Sequence, residues 1–320
     1  MHRLKPLIRW VILGGCVFFL AKVLREHWQH VLEVTLPPSA WACFAIGLGF
    51  TLLAHLIAGW VWGLTLQALQ QPVSWGWLIR VYLKTNMAKY LPGNIWHYYG
   101  RIQSAQQTGA NLGTAAVSVL LEPLLMAASA FTLTLLCSPQ ILAHYGWLGL
   151  IGQWLGLPLV LIAIRPRFLN PVIQYLNRQK NTQIGIVNPV PLKRYPMLPL
   201  IGSLAFVLVR GLGFLSIFWA INPIVPRELP LVLSVFSLAW LLGMVVPGAP
   251  GGTGVFEVMA IALLSPRFPP GNLLSIVALY RVVSVLAEAI GAGLAWLDEQ
   301  RLPIDIVAQP GLPNQQGQDF

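Results

Sequence analysis

The sequence predicts an all-α, polytopic transmembrane helix bundle, and three observations support this prediction. Of its 320 residues, 56% are hydrophobic and only 9% are charged, too few to cover a water-exposed surface of ordinary size. The apolar residues form about eight separate segments, most of them close to the length that crosses a bilayer core. Proline and glycine interrupt two of the hydrophobic regions, so we expect two segments to be broken or re-entrant.

Six segments are long enough to span the membrane as helices of about 20 residues. In chain order they are residues 7–24, 40–66, 112–136, 145–164, 198–221 and 273–297. The first segment follows several basic residues, as the apolar part of a secretory signal does. No small-residue cleavage site follows it, so we predict that it is retained as the first membrane span.

A proline- and glycine-rich stretch at residues 247–254, Pro-Gly-Ala-Pro-Gly-Gly-Thr-Gly, separates two shorter apolar runs at 231–246 and 255–264. Each run falls short of about 20 residues, and the stretch between them cannot stay helical. Two short crossings and one re-entrant hairpin both fit this pattern. Backbone broken at membrane depth persists only where it is buried in protein or lines a water-filled cavity. The break therefore predicts a polar site, and a close helix crossing without a ligand is the alternative.

A similar break occurs in the first half of the chain, where residues 75–90 lead into Leu-Pro-Gly-Asn at 91–94. Polar side chains surround it, including those of Lys89, His97 and Arg101, next to several tyrosines and tryptophans. Transporters built from two halves often carry a broken helix in each half, and their binding sites form where the breaks meet. An ordinary interfacial belt of aromatic residues and snorkelling cations is the alternative.

Five ionisable residues fall inside apolar segments, where an unpaired charge costs at least about 2.5 kcal/mol. They are Glu122, Arg210, Glu257, Arg281 and Glu288. Either they pair with one another and lock helices together, or they line a polar path. We predict that Glu257 pairs with Arg281, because the short helix after the glycine-rich stretch must pack against the last span. Arg281 and Glu288 lie about two helical turns apart, which is too far for a tight pair.

The basic residues lie mainly in loops on one side of the predicted bundle, and the positive-inside rule assigns that side to the cytoplasm. We predict a plasma (inner) membrane protein with a cytoplasmic amino terminus. Residues 1–301 form a single integral membrane domain in this interpretation, and residues 302–320 form a short disordered cytoplasmic tail. Because the basic residues are scattered through short loops, we predict no nucleic-acid partner.

The sequence contains no recognisable catalytic constellation. We find no Ser-His-Asp set, no metal-ligand cluster and no closely spaced carboxylate pair within the apolar segments, and no lysine follows the glycines as in a Walker loop. We therefore expect no cofactor and no metal. The longest polar stretch, residues 165–197, is too short for a catalytic domain. Soluble chemistry would have to come from another chain.

Three stretches resemble the membrane domain of lysylphosphatidylglycerol synthases, a domain that also occurs in stand-alone members of the family. The first is residues 86–94, Asn-Met-Ala-Lys-Tyr-Leu-Pro-Gly-Asn, followed by Arg101. The second is residues 247–257, similar to the family's Pro-x-Pro-Gly-Gly-x-Gly-x-x-Glu, and the third is Tyr280-Arg281. Glu122 is followed by Pro123, where the family tends to have arginine, so a local ion pair is not implied there.

The resemblance implies a flippase-like or lipid-binding role, whereas the aminoacyl-transferring domain of two-domain relatives has no counterpart among these residues. We predict binding of a polar or anionic lipid at the two breaks and movement of its head group between leaflets. Arg101, Lys89 and Arg281 would hold phosphate, and the glycine-rich loop would offer backbone N–H groups. Glu257 would balance Arg281 or accept a proton. The predicted site residues are Asn86, Lys89, Pro92, Gly93, Asn94, Arg101, Glu122, Pro247, Pro250, Gly251, Gly252, Gly254, Glu257, Tyr280 and Arg281.

Two other functions stay open on the sequence alone. The first is a membrane-embedded transferase, or an obligate subunit of one, in which Glu257 or Glu122 acts as a base. The second is a structural scaffold for a complex that modifies lipids. Besides the membrane lipid, a separate soluble transferase and a second copy of the chain in a homo-oligomer are the partners to consider.

Overall fold

The computed structural model describes residues 38–72, 74–91, 95–137, 146–178, 192–246, 250–252 and 254–301. Within these ranges the chain forms helices joined by turns and contains no β-strand, so the predicted all-α fold is confirmed. Several predictions fall outside these ranges. They concern the first span at 7–24, the tail at 302–320, and the site residues Pro92, Gly93, Asn94 and Pro247.

The described residues form ten α-helices, numbered here in chain order. They are α1 (Ala40–Ala68), α2 (Trp75–Asn86), α3 (Trp96–Gln107), α4 (Leu112–Cys137), α5 (Gly146–Ala163), α6 (Pro166–Arg178), α7 (Met197–Ile221), α8 (Leu229–Val245), α9 (Val255–Leu264) and α10 (Pro270–Arg301). Short 3₁₀ helices lie between some of them, at Met87–Tyr90, Pro226–Glu228 and Pro250–Gly252.

Within the described ranges, five helices are long and apolar enough to cross a membrane. Four of them, α1, α4, α7 and α10, correspond to the predicted spans at 40–66, 112–136, 198–221 and 273–297. α5 lies within the predicted segment at 145–164. The chain is therefore a multi-pass membrane protein, and the full number of eight hydrophobic segments stays a prediction.

The fifth spanning helix corrects an expectation about length. The apolar run at 231–246 is by itself shorter than an ordinary membrane span, but the 3₁₀ helix Pro226–Glu228 continues directly into α8. Together they span 20 residues, Pro226–Val245. Proline is tolerated at this end because the first N–H groups of a helix have no intrahelical partner. The second run, which forms α9 with 10 residues, is short of a membrane span as predicted.

Glycines allow the helices that hold the site to approach closely. At the crossing of α1 and α7, a Cβ on Gly47 would lie 3.1 Å from the carbonyl oxygen of Gly213. Where α1 meets α2, a Cβ on Gly63 would lie 2.6 Å from the Trp75 ring. Such close approach is typical of membrane helices, where van der Waals packing drives association. α1 is thereby fixed against two of the helices that carry polar side chains.

The described helices end on both sides of each predicted break, and the described residues of the two regions contact each other. The first break lies between α2 and α3 and includes the 3₁₀ helix Met87–Tyr90. The second lies between α8 and α9, where Gly251, Gly252 and Gly254 have positive φ angles of 60°, 75° and 88°. Glycine adopts this left-handed region without a Cβ penalty. A Cβ on Gly251 would lie only 3.2 Å from the Tyr90 ring, so the two breaks are packed together.

Candidate functional site

A cavity of about 130 Å³ lies where the two breaks meet, and it has room for several water molecules. Its polar wall consists of His55, Tyr82, Asn86, Lys89, His97, Tyr98, Arg101, Glu122, Arg210, Tyr280 and Arg281. Its apolar wall consists of Pro123, Met126, Phe206, Trp240, Met244 and Phe256, and three glycines, Gly243, Gly251 and Gly252, complete the lining. The cavity is therefore amphipathic.

Glu122 of α4 is buried and bonds to side chains of α2 and α3. The Tyr82 hydroxyl donates to Oε1 at 2.6 Å, and Arg101 Nη1 donates to Oε2 at 2.8 Å. The Arg101 guanidinium also stacks 3.7 Å from the centre of the Tyr82 ring, and its Nε donates to the Thr85 hydroxyl at 3.3 Å. These contacts compensate both charges and connect three helices. An arginine from another helix thus takes the place of the local partner that Pro123 excludes.

The predicted pair between Glu257 and Arg281 is present. Arg281 donates to Oε1 of Glu257 from Nη2 at 2.6 Å and from Nε at 2.8 Å. Its remaining nitrogen, Nη1, donates to the carbonyl oxygen of Gly251 at 2.9 Å. Oε2 of Glu257 accepts the N–H of Gly254 at 2.7 Å, just before α9 begins. The pair therefore fixes the second break to α10, and it uses one of the loop N–H groups that were predicted to meet an anion.

Glu288 of α10 is the centre of a third buried cluster. Its Oε1 accepts from Lys89 Nζ at 2.5 Å and lies 3.2 Å from His55 Nε2. Arg210 Nη2 is more distant, at 3.9 Å from the same oxygen, and Arg210 Nη1 lies 3.4 Å from His55 Nε2. Oε2 of Glu288 has no hydrogen-bond partner among the described residues. One carboxylate thus faces two cations and an imidazole.

The three clusters leave an excess of positive charge around the cavity. The cations that line it are Lys89, Arg101, Arg210 and Arg281, and the carboxylates bonded to them are Glu122, Glu257 and Glu288. Four positive and three negative groups give a net charge of +1 when all are ionised and the histidines are neutral. Uncompensated charge is expensive at membrane depth. The arrangement therefore favours an anion in the cavity.

Most of the predicted site residues that the structure describes come together here. Those that line the cavity are Asn86, Lys89, Arg101, Glu122, Gly251, Gly252, Tyr280 and Arg281. Glu257 and Gly254 lie behind this lining, bonded to each other, and Glu257 is bonded to Arg281. Pro250 belongs to the 3₁₀ helix of the second break.

Five residues of these clusters are not among the predicted site residues, namely His55, Tyr82, Thr85, Arg210 and Glu288. Arg210 and Glu288 stand out in the sequence as charges in apolar segments, but an isolated charge does not reveal its partner. A single histidine or tyrosine in or next to an apolar segment is usually a packing or interfacial residue. These residues come together because α1 and α7 pack against α10. The spacing of residues along the sequence does not predict which helices pack together.

Comparison with known protein families identifies the family to which the chain belongs. The family model of the lysylphosphatidylglycerol synthase TM region matches residues 7–291, which include both breaks and all three charged clusters. No curated protein matches the chain. The family match agrees with the multi-pass helical bundle and supports a role in lipid metabolism or transport. The chain therefore belongs to the family of lysylphosphatidylglycerol synthase TM regions.

Proposed function

We propose that the chain binds a lipid with a polar or anionic head group in the cavity and passes that head group between the two leaflets. One observation carries the proposal: the cavity joins a cationic polar wall to an apolar wall where the two breaks meet. A membrane lipid has the same two-part chemistry. Protein interiors are normally close-packed, so a charged hollow inside a membrane bundle favours a ligand over simple helix packing.

The two walls assign positions to the two parts of the lipid. The head group lies against the cations, because a phosphate accepts charge-assisted hydrogen bonds that a neutral group cannot match. The glycerol and acyl part leaves along Met126, Trp240 and Met244, which α4 and α8 contribute to the apolar wall. This orientation keeps the charged part of the lipid out of hydrocarbon while it crosses.

The predicted cations have different parts in this proposal. Arg101 and Arg281 lie in the polar wall, where the carboxylates bonded to them hold their guanidinium groups in place. Lys89 lies at the contact between the two breaks, where Gly251 approaches its side chain. The charges of the loops favour a cytoplasmic amino terminus, and we propose the plasma membrane as the location of the protein. A separate soluble transferase is the expected source of a modified lipid.

Reconstitution into vesicles tests the proposal. Vesicles that contain phosphatidylglycerol with a fluorescent NBD head-group label are treated with dithionite, which bleaches only the outer leaflet. Vesicles with the wild-type protein are expected to lose the protected inner-leaflet signal as well, because labelled head groups move outward. Vesicles without protein keep that signal. No difference between the two would contradict the proposal.

A matched pair of substitutions on α4 ties the movement to the cavity. Met126 lines the cavity and is 5% exposed, so Met126→Trp fills part of it. Leu124 is 50% exposed on the outside of the same helix, and Leu124→Trp is the control. We expect slower movement with Met126→Trp and wild-type movement with Leu124→Trp. Thermal unfolding of both variants checks the fold, since overpacking costs about 1–3 kcal/mol. Equal rates of head-group movement in both variants would contradict a path through the cavity.

A further inference from the structure

Arg210 of α7 is the cavity cation with the weakest set of partners in the described part of the chain. It lines the cavity and is only 6% exposed. Its contacts with His55 and Glu288 are long, at 3.4 Å to His55 Nε2 and 3.9 Å to Glu288 Oε1. Its Nε has no hydrogen-bond partner among the described residues. Buried guanidinium donors are normally paired, because the loss of hydration must be offset by hydrogen bonds.

The other cations of the cavity are engaged more closely. Arg101 and Arg281 donate to separate carboxylates at 2.8 and 2.6 Å. Lys89 lies 2.5 Å from Glu288 and compensates the carboxylate that would otherwise neutralise Arg210. The excess positive charge of the cavity therefore resides mainly at Arg210.

A second unpaired donor lies beside Arg210. The hydroxyl of Tyr280 has no hydrogen-bond partner among the described residues, and Tyr280 lines the same cavity. Its ring packs 5.2 Å from that of Phe214, which follows Arg210 by about one turn of α7. The Tyr280 phenol also interacts with the Arg210 side chain, and both line the same cavity. An arginine fork with a neighbouring hydroxyl suits phosphate, whose oxygens accept several hydrogen bonds at once.

We propose that Arg210 binds the phosphodiester of a membrane phospholipid directly, with the Tyr280 hydroxyl as a second donor. Glu288 binds His55 and Lys89 and lies 3.9 Å from the same guanidinium, so it leaves Arg210 only partly compensated. The identity of the ligand as a lipid rests on the proposed function. The presence of a phosphate site at Arg210 does not.

Binding to the purified full-length chain in detergent tests the inference, with affinity measured by calorimetry. The probes are dihexanoyl phosphatidylglycerol, dihexanoyl glycerol without the phosphate, and inorganic phosphate. Arg210→Gln is expected to weaken binding of the phospholipid about tenfold or more, because it removes charge-assisted hydrogen bonds. Binding of dihexanoyl glycerol is expected to stay unchanged. Arg80→Gln, which removes a partly exposed arginine that is paired with the exposed Asp298 outside the cavity, is the matched control and should behave as wild type.

Wild-type affinity of Arg210→Gln for the phospholipid would overturn the inference. If that variant does not fold, Arg210→Lys and Tyr280→Phe decide the question. Each keeps most of the local volume but loses one part of the donor set, so each should weaken the phospholipid several-fold and leave dihexanoyl glycerol unaffected. Wild-type affinity in both would equally refute the site.

The arms of the experiment separate this inference from the proposed function. Inorganic phosphate could bind as tightly as the phospholipid and lose affinity in Arg210→Gln. That result would support the phosphate site but would contradict a lipid as its ligand. Arg210-dependent binding of phospholipid without any head-group movement in vesicles would support the site and refute only the transport.

Discussion

Replacing Glu257 by glutamine removes the carboxylate that holds Arg281 between α9 and α10. That carboxylate accepts hydrogen bonds from Arg281 at 2.6 and 2.8 Å and from the N–H of Gly254 at 2.7 Å. Glu257 and Arg281 are 8% and 7% exposed, so water replaces little of the lost interaction. Glutamine has nearly the same shape but leaves the buried guanidinium with a neutral partner.

The expected size of the effect follows from this geometry. Removing one partner of a buried ion pair costs about 3–5 kcal/mol. Glutamine keeps one acceptor oxygen, so we expect the free energy of unfolding to fall by about 3 kcal/mol. A neutral hydrogen bond between membrane helices contributes only about 0.6 kcal/mol, which is clearly smaller. Combining Glu257→Gln with Arg281→Met should cost about 2 kcal/mol less than the sum of the single changes, because the two side chains interact directly.

Unfolding in bicelles by titration with SDS, followed by tryptophan fluorescence, gives these free energies. Glu299→Gln is the matched control at the end of α10, where its partner Lys84 is partly exposed. It should cost less than about 1 kcal/mol. Strictly additive costs in the double variant, or a cost of Glu257→Gln no larger than that of the control, would refute the reasoning.

Two glycine comparisons test the packing of the site by the same unfolding assay. Gly252→Ala should destabilise more than Gly254→Ala, because both have positive φ but only Gly252 would place its Cβ 3.1 Å from the backbone of Gly243. Left-handed strain alone costs about 1–3 kcal/mol, and equal losses would show that crowding is unimportant. Gly213→Ala should separate α1 from α7 and lower stability, since its Cβ would lie 2.8 Å from a side-chain oxygen. Gly49→Ala, with nothing within 4 Å, should be neutral or stabilising, and a reversed order would contradict the packing.

The features that the sequence predicts correctly are those that local chemistry determines. A cluster of prolines and glycines interrupts a helix, whereas a single one such as Pro123 is accommodated inside α4. Both breaks contain such clusters, so they could be located without knowing the tertiary structure. The pair of Glu257 and Arg281 could be predicted because a short helix beside the last span has few other surfaces to pack on. The length of Pro226–Val245 was underestimated, since its first residues are polar and proline-rich and resemble a loop.

The contacts that the sequence does not predict depend on which helices touch. Glu122 pairs with Arg101 because α3 packs on α4. Glu288 pairs with His55 and Lys89 because α1 and the first break pack against α10. An apolar helix offers many faces with similar hydrophobicity, so the sequence does not indicate which face meets which neighbour. For this reason the sequence does not distinguish Arg210 from the other charged residues in apolar segments. Only the structure shows that its Nε has no hydrogen-bond partner among the described residues.

A structure determined in nanodiscs of anionic phospholipid is the most direct test of the central claim, that the two breaks enclose a binding site for a lipid head group. The account predicts head-group density in the cavity, with the phosphate within hydrogen-bond distance of Arg210 and the acyl part along Met126 and Met244. A cavity closed by side chains, or lipid found only around the outside of the bundle, would contradict it.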